Sequence, residues 1–337
     1  MTPAAPLPAR LQDRPFRTAE AIGEQLSWAR LPRAGLTHVS HGVWSARAPG
    51  SDEERARAMA TALAGAGAYS HVTAAAVHGL PLPARLGSRT RFDVMTPTTA
   101  GQRRRAGWEG HRGLERRWVV AIRGIPVTDL IDTWIDLGCL AVGRKPLLDV
   151  DDLIIAGDEV INRLLAQQEW ADDDAAARCR LPAHRDPVRV LRAVSQIRMR
   201  LAGRVRPRGR AALAAALDLL RAGVRSPMES RARLMFVHAR FPEPAVNVDI
   251  LARDGGGWLA EGDLVWEREK VVAEYQGEHH AARRQRSLDS ARMILLHEQG
   301  WAVHEMWAED LRPPRRGDLL RRVARSLGLQ PGTVVID

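Results

Sequence analysis

The chain has 337 residues, is 45% hydrophobic and 27% charged, and carries a net charge of +10. That length is a prior for two or three globular domains, and the lack of any apolar run of 18 residues argues against a membrane-spanning helix. Two distant cysteines, Cys139 and Cys179, are too few for a disulfide framework or a cysteine-based zinc site, and no apolar signal-peptide core opens the chain, so a cytoplasmic location is expected.

Only two of the basic residues, Lys145 and Lys270, are lysine. Arginine in such excess fits a GC-rich genome, but its placement is uneven. Eleven arginines lie between Arg185 and Arg225, opposed only by Asp186 and Asp218, whereas residues 149–174 are acidic. A basic stretch of this kind suits phosphate contact, and its bland reading is a solvated helix face. Arg204, Arg206, Arg208 and Arg210, in one basic turn, are the nucleic-acid-binding candidates, with DNA as the expected partner, no membrane and no small-molecule ligand.

Residues 1–14, rich in Pro and Ala, are expected to form a disordered tail. In residues 15–50, Thr18 is placed to cap a helix over Ala19–Gln25. Leu31–Gly35 opens or ends a second helix, and Leu36–Arg47 folds into a hairpin at His41-Gly42. Helix, helix and hairpin is the order of a winged helix. Residues 51–165 are expected to be an α/β middle region, with helices over Glu53–Ala66, Ala68–His78 and Leu153–Leu165. Strands are expected at Arg91–Thr96 and Val119–Ile122, and a further helix capped by Thr128. His71 and His78 share a helical face seven residues apart, a pattern that reads as structure rather than as a ligand pair. Residues 166–225 read as a linker, acidic at Asp172–Asp174, followed by basic helices over Pro187–Leu201 and Ala211–Ala222.

Residues 226–329 hold the pattern with the most chemical content. Ser226 caps a helix running to Arg240. Strands follow at Val246–Ala252, Trp258–Trp266 and Lys270–Gln276, the first two joined by a turn at Asp254–Gly257. A helix over Arg284–Gln299 ends at Gly300, and a strand at Trp301–Met306 precedes a helical stretch at Ala308–Leu311. Glu274 interrupts the apolar run Val271–Tyr275, and a buried carboxylate is costly without a partner. A hairpin connection of four residues brings Asp263 beside Glu274. Two convergent carboxylates are hard oxygen donors suited to Mg²⁺, with Mn²⁺ as an alternative, and a metal held there activates water against a phosphodiester. The bland alternative is an exposed edge strand with harmless acids.

Two resemblances extend this reading. Residues 16–21 (FRTAEA), 31–44 (LPRAGLTHVSHGVW) and 69–81 (YSHVTAAAVHGLP) resemble the winged-helix and middle regions of AbiEi-type antitoxins and related actinobacterial regulators. Between residues 226 and 311, the motifs Ser226-Pro227-Met228-Glu229-Ser230, Arg233, Phe241-Pro242-Glu243-Pro244, Gly262-Asp263, Val272 to His280, Asp289 to Arg292 and Gly300-Trp301 resemble the uncharacterised endonuclease domain related to very-short-patch-repair enzymes, a branch of the PD-(D/E)XK nucleases. The fold class implied is multidomain α+β: a winged helix, an α/β middle region and a restriction-endonuclease-like α-β-β-β-α-β core. The likeness implies that Asp263 and Glu274 bind the metal, that Glu229 is an accessory acid, and that His280 is a general acid/base or stabilises the transition state. It implies that Asp289 and Arg292 hold the site or a phosphate. Gln276 stands where that family's signature has lysine, and an amide cannot serve as a cation. A metal-dependent DNA endonuclease is therefore expected; the alternatives are an AbiEi-like DNA-binding regulator with a vestigial nuclease domain, and an interaction module using its basic helices.

Overall fold

A computed structural model describes residues 7–33, 35–63, 65–87, 89–100, 105–171, 182–252, 257–277 and 292–336. The chain is a multidomain mixed α/β protein whose described residues form three sheets. It divides into two compact units, Met1–Leu153 with Ile197–Ala214, and Ile154–Gln196 with Ala215–Asp337.

The first unit opens with α1 (Ala9–Gln12), β1 (Phe16–Arg17), α2 (Thr18–Gly23), a 3-10 turn at Trp28–Arg33, and the hairpin strands β2 (Thr37–Ser40) and β3 (Val43–Ser45). The strands pair antiparallel in the order β1-β3-β2. Phe16, Ala21, Leu26, Leu31 and Trp44 bury a small core against Leu11. Thr18 lies inside α2 rather than capping it, because its hydroxyl accepts the Trp44 indole N–H at 3.0 Å. The cap is Arg17, whose backbone N–H reaches the Glu20 carboxylate.

The same unit continues through α3 (Asp52–Ala60), β4 (Ala68–Tyr69), α4 (His71–His78), β5 (Phe92–Thr96), β6 (Trp108–Arg112), β7 (Val119–Ile122), β8 (Ile125–Thr128) and α5 (Leu130–Leu137). Five strands align as β6-β5-β4-β8-β7, with Leu63, Tyr69, Val94, Trp108, Ile125 and Val127 in the core beneath α3. Thr128 ends β8 instead of opening a helix. Asp129 is the cap of α5, its carboxylate accepting the Asp132 N–H at 2.8 Å.

Residues 166–225 are helical over most of their described length. They belong to α6 (Val150–Ala171), α7 (Pro187–Ala202) and α8 (Arg210–Leu219) and contribute to both units; Asp172–Asp174 and Cys179 lie outside the described residues. The second unit then builds α9 (Pro227–His238), β9 (Ala245–Leu251), β10 (Trp258–Trp266), β11 (Val271–Tyr275), α10 (helical residues 292–298), β12 (Ala302–Met306) and α11 (Arg315–Ser326). Asp254–Gly256 of the expected hairpin turn also lie outside the described residues. The sheet order is β12-β11-β10-β9, with β11 and β12 parallel and the other pairs antiparallel.

Side-chain alternation gives this sheet two apolar faces. Leu264, Trp266, Val271 and Ala273 pack against Phe236 of α9 and Leu319, Leu320 and Val323 of α11. Ile250, Val265 and Val272 pack on the other side with Leu296 of α10 and Trp301. Beneath α9, Arg233 is 0% exposed and donates to Asp158 at 3.3 Å, Glu243 at 2.8 Å and the Leu219 carbonyl at 2.8 Å, while the Ser230 hydroxyl donates to Asp158 at 2.7 Å. Removing one member of a buried ion pair leaves the other uncompensated, at a cost of about 3–5 kcal/mol. Arg233→Ala is expected to destabilise the protein by that much in urea unfolding, and Arg233→Met combined with Asp158→Leu to recover most of the loss. Equal destabilisation by both variants would contradict this account.

Candidate functional site

Of the acids singled out in the sequence, Asp263 and Glu274 lie on the α10 side of the second unit's sheet, where Asp263 alternates with Val265 on β10. Glu274 alternates with Val272 on β11, so it faces α10. It is 7% exposed, and its Oε1 accepts from the Arg292 guanidinium. Arg292 lies one helical turn before Leu296, which is fully buried in that face's core, so the two side chains share a helix face. The same Arg292 nitrogen donates to the Glu261 carbonyl at 2.6 Å.

Asp263 is held differently. The pairing of β10 with β11 runs from Trp266↔Val271 to Leu264↔Ala273. One residue further, the Asp263 carboxylate accepts the Tyr275 N–H at 2.8 Å, which seats it beside the backbone that follows Glu274. Burial, and after it the charge of Glu229, raise its pKa; the Tyr275 N–H, Arg292 and Arg225 oppose that shift. A Cβ added at Gly262 would stand 2.7 Å from methyls of both Val265 and Val272, so glycine is the residue this close approach accepts just before Asp263.

Glu229 sits in the first turn of α9, whose cap Ser226 accepts the Glu229 N–H at 3.1 Å. Its carboxylate accepts the Arg225 N–H at 2.9 Å and the Asn247 amide at 2.8 Å. Asn247 escaped the sequence reading. It is buried on β9 with φ +47°, and its amide also donates to the Gly223 carbonyl at 2.8 Å. The available signal was the same as for Glu274: a polar residue in an apolar strand, between Val246 and Val248. Arg225 forks onto Glu261, with Nη2 at 2.6 Å. Gln276 lies one residue beyond β11 and donates to Glu305 at 3.3 Å, and Glu305 is in parallel register with Glu274. His279, His280 and Asp289 lie outside the described residues. Among the described residues, no group of three or more His, Cys, Asp or Glu side chains is arranged to hold a metal ion.

The basic candidates separate. Arg204 points inward: it is 8% exposed and donates at 2.7 Å to Asp132, itself fully buried. Arg200 joins the same carboxylate at 2.9 Å and stacks over Trp118 at 4.0 Å. Arg204 is therefore part of the first unit's framework and is not presented to a nucleic acid; a buried Asp132 requires a cation and Arg204 provides one. Arg206, Arg208 and Arg210 are exposed. Arg292, expected at a phosphate, is engaged with Glu274 and the Glu261 carbonyl.

Comparison with known proteins supplies a partial relative. An uncharacterized protein found in two strains of Mycobacterium tuberculosis is 33% identical over 124 residues, which are 36% of this chain and 45% of the relative. The chain thus spans less than half the length of the curated relatives it matches. No protein-family model and no solved structure matches it.

His71 and His78 do not come together. His78 bonds the Thr128 carbonyl at 2.8 Å, whereas His71, with φ +49°, stacks on His111 at 3.7 Å between ring centres. His111 bonds Asp93 at 3.0 Å, and Arg89 pairs with the same carboxylate at 3.3 Å. Burial first, then the neighbouring His111, pull the His71 pKa down to about 3. Above the unfolded value of about 6.5, both folded and unfolded states hold a neutral imidazole. Below it the unfolded chain takes up a proton that the folded one refuses, so stability falls as pH drops from about 6.5 toward 3. The unfolding midpoint is expected to fall between about pH 7 and pH 5, with a shallower fall in His71→Asn, a residue that tolerates the left-handed backbone. Identical pH profiles for the two proteins would show that His71 is not the sensor.

Proposed function

We propose that this chain is a metal-dependent DNA endonuclease with a PD-(D/E)XK-type core in its second unit and a winged-helix DNA-binding module over residues 15–50. The observation that carries this reading is the seating of Asp263 against the Tyr275 N–H, beside a buried Glu274. The order α9-β9-β10-β11-α10-β12, with β11 and β12 parallel, supports it.

The donor set fits Mg²⁺ or Mn²⁺, which accept two carboxylates with waters completing the shell. Glu274 already draws a cation, the Arg292 guanidinium, to this spot. Asp263 and Glu274 would hold the metal, which when bound polarises a phosphodiester and activates water. The chain's own groups supply the surroundings. Glu229, fixed by Asn247 and the Arg225 N–H, adds negative charge next to Asp263. The Gln276 amide can donate to a phosphate oxygen. His280 takes the proton-transfer role on the strength of the resemblance alone.

One observation favours a second reading, an AbiEi-like DNA-binding regulator with a retired nuclease fold. Gln276 stands at the lysine position and its amide is engaged by Glu305. DNA contact would then rest on the N-terminal module and the exposed Arg206, Arg208 and Arg210.

Nicking of supercoiled plasmid by the full chain, with Mg²⁺, Mn²⁺ or EDTA, separates the two. The nuclease reading expects metal-dependent nicking that falls to background in both Asp263→Asn and Glu274→Gln. Salt-sensitive DNA binding with no cleavage under any condition would establish the regulator instead. In either case, replacing Arg206, Arg208 and Arg210 by alanine is expected to make the slope of log affinity against log salt shallower by about 2–3, since each phosphate contact contributes about 0.9. An unchanged slope would remove those arginines from the interface.

A further inference from the structure

We infer that Arg292 is a gate on the acidic site: its guanidinium is a resident counter-cation of Glu274, and a divalent ion enters beside Asp263 and Glu274 only as Arg292 withdraws. This rests on the nuclease reading and adds to it a regulation of metal loading by the chain itself.

Three observations converge. The Glu274 carboxylate is buried and engaged by Arg292, and the same nitrogen is shared with the Glu261 carbonyl. The Glu261 carbonyl lies on β10 two residues before Asp263, and Glu274 lies on β11. One guanidinium therefore bridges the two strands that carry the carboxylates that would hold the metal. A divalent ion and a guanidinium on the same carboxylate repel each other strongly away from bulk water. Third, the Arg292 seat is incomplete: its Nε is buried with no acceptor among the described residues, and an unsatisfied buried donor raises the energy of the seated state. Arg292 is long, and its anchor in the helix is Leu296 one turn on, so the head can leave while α10 stays docked. Once released, a planar cation stands next to the site whose lysine position holds Gln276, where it can fork onto a phosphate. Arg292 is thus a positioning residue for the free protein and a phosphate ligand for the loaded one.

The test is Mn²⁺ binding to the full chain by calorimetry, comparing wild type, Arg292→Gln, Arg292→Lys and Glu274→Gln. Competition between Arg292 and the metal is a coupling between two ligands of one site, for which factors of about 5–150 are usual. Arg292→Gln is expected to bind Mn²⁺ about tenfold more tightly than wild type, and Glu274→Gln to lose binding. Plasmid nicking by Arg292→Gln is expected to fall despite the tighter metal. Should Arg292→Gln fail to fold, Arg292→Lys decides, since it keeps the charge but loses the fork and is expected to tighten Mn²⁺ several-fold. Equal or weaker Mn²⁺ binding in the folded variants overturns the gate and leaves the nuclease reading intact. No Mn²⁺ binding in any protein, wild type included, overturns both.

Discussion

A carboxylate taken out of water costs free energy that only donors and cations offset, and that constraint organises both units. In the second unit Asp158 receives Arg233, Ser230 and the Arg221 N–H, Glu229 receives Asn247 and the Arg225 N–H, and Glu274 receives Arg292. In the first unit Asp132 receives Arg200 and Arg204, and Asp93 receives His111 and Arg89. These clusters differ in what surrounds them. Asp158 and Arg233 are enclosed, with exposures of 1% and 0%, and read as framework. Glu274 has a partner whose side chain remains one-third exposed, at 33%, and reads as a place where a cation can be exchanged.

The arginine-rich stretch illustrates how a charge run in sequence becomes something else in space. Arg185 turns to Asp249, Arg200 and Arg204 to Asp132, Arg221 to Glu243 and Arg225 to Glu261. Their partners lie far along the chain, so nothing local in the sequence announces the pairing. Arg206, Arg208 and Arg210 in the basic turn stay at the surface, as do Arg192 and Arg198 on α7. The basic face open to a polyanion is thus narrower than the composition implies, and its field is correspondingly local.

The motif residues behind the nuclease likeness divide in the same way. Ser226 is a helix cap, Phe241 packs edge-on against Phe236, the Pro242 carbonyl accepts the Trp266 indole N–H at 2.7 Å, and Arg233 is a buried ion-pair partner. These positions maintain the fold. Asp263, Glu274 and Glu229 are the acids it brings to one region, and Asn247 and Arg225 fix Glu229 there. The N-terminal region shows the same division on a smaller scale: Trp44 closes the hairpin onto α2 through Thr18, a packing contact rather than a reading surface.

Local chemistry determined what the sequence could show by itself. The bounds of β10 and β7, the Ser226 cap, the strand interrupted by Glu274 and the order of elements from α9 to β12 all follow from alternation, capping and turn residues close together in the chain. Elements with weak local signals stayed hidden: β4 is two residues long, β6 is the polar run Trp108–Arg112, and β8 carries a proline. Tertiary structure alone decided that Arg204 points inward, that Asn247 joins Glu229, and that Arg292 closes on Glu274. Each of those depends on which distant group fills a buried polar valence, and no window of sequence contains both members of the pair.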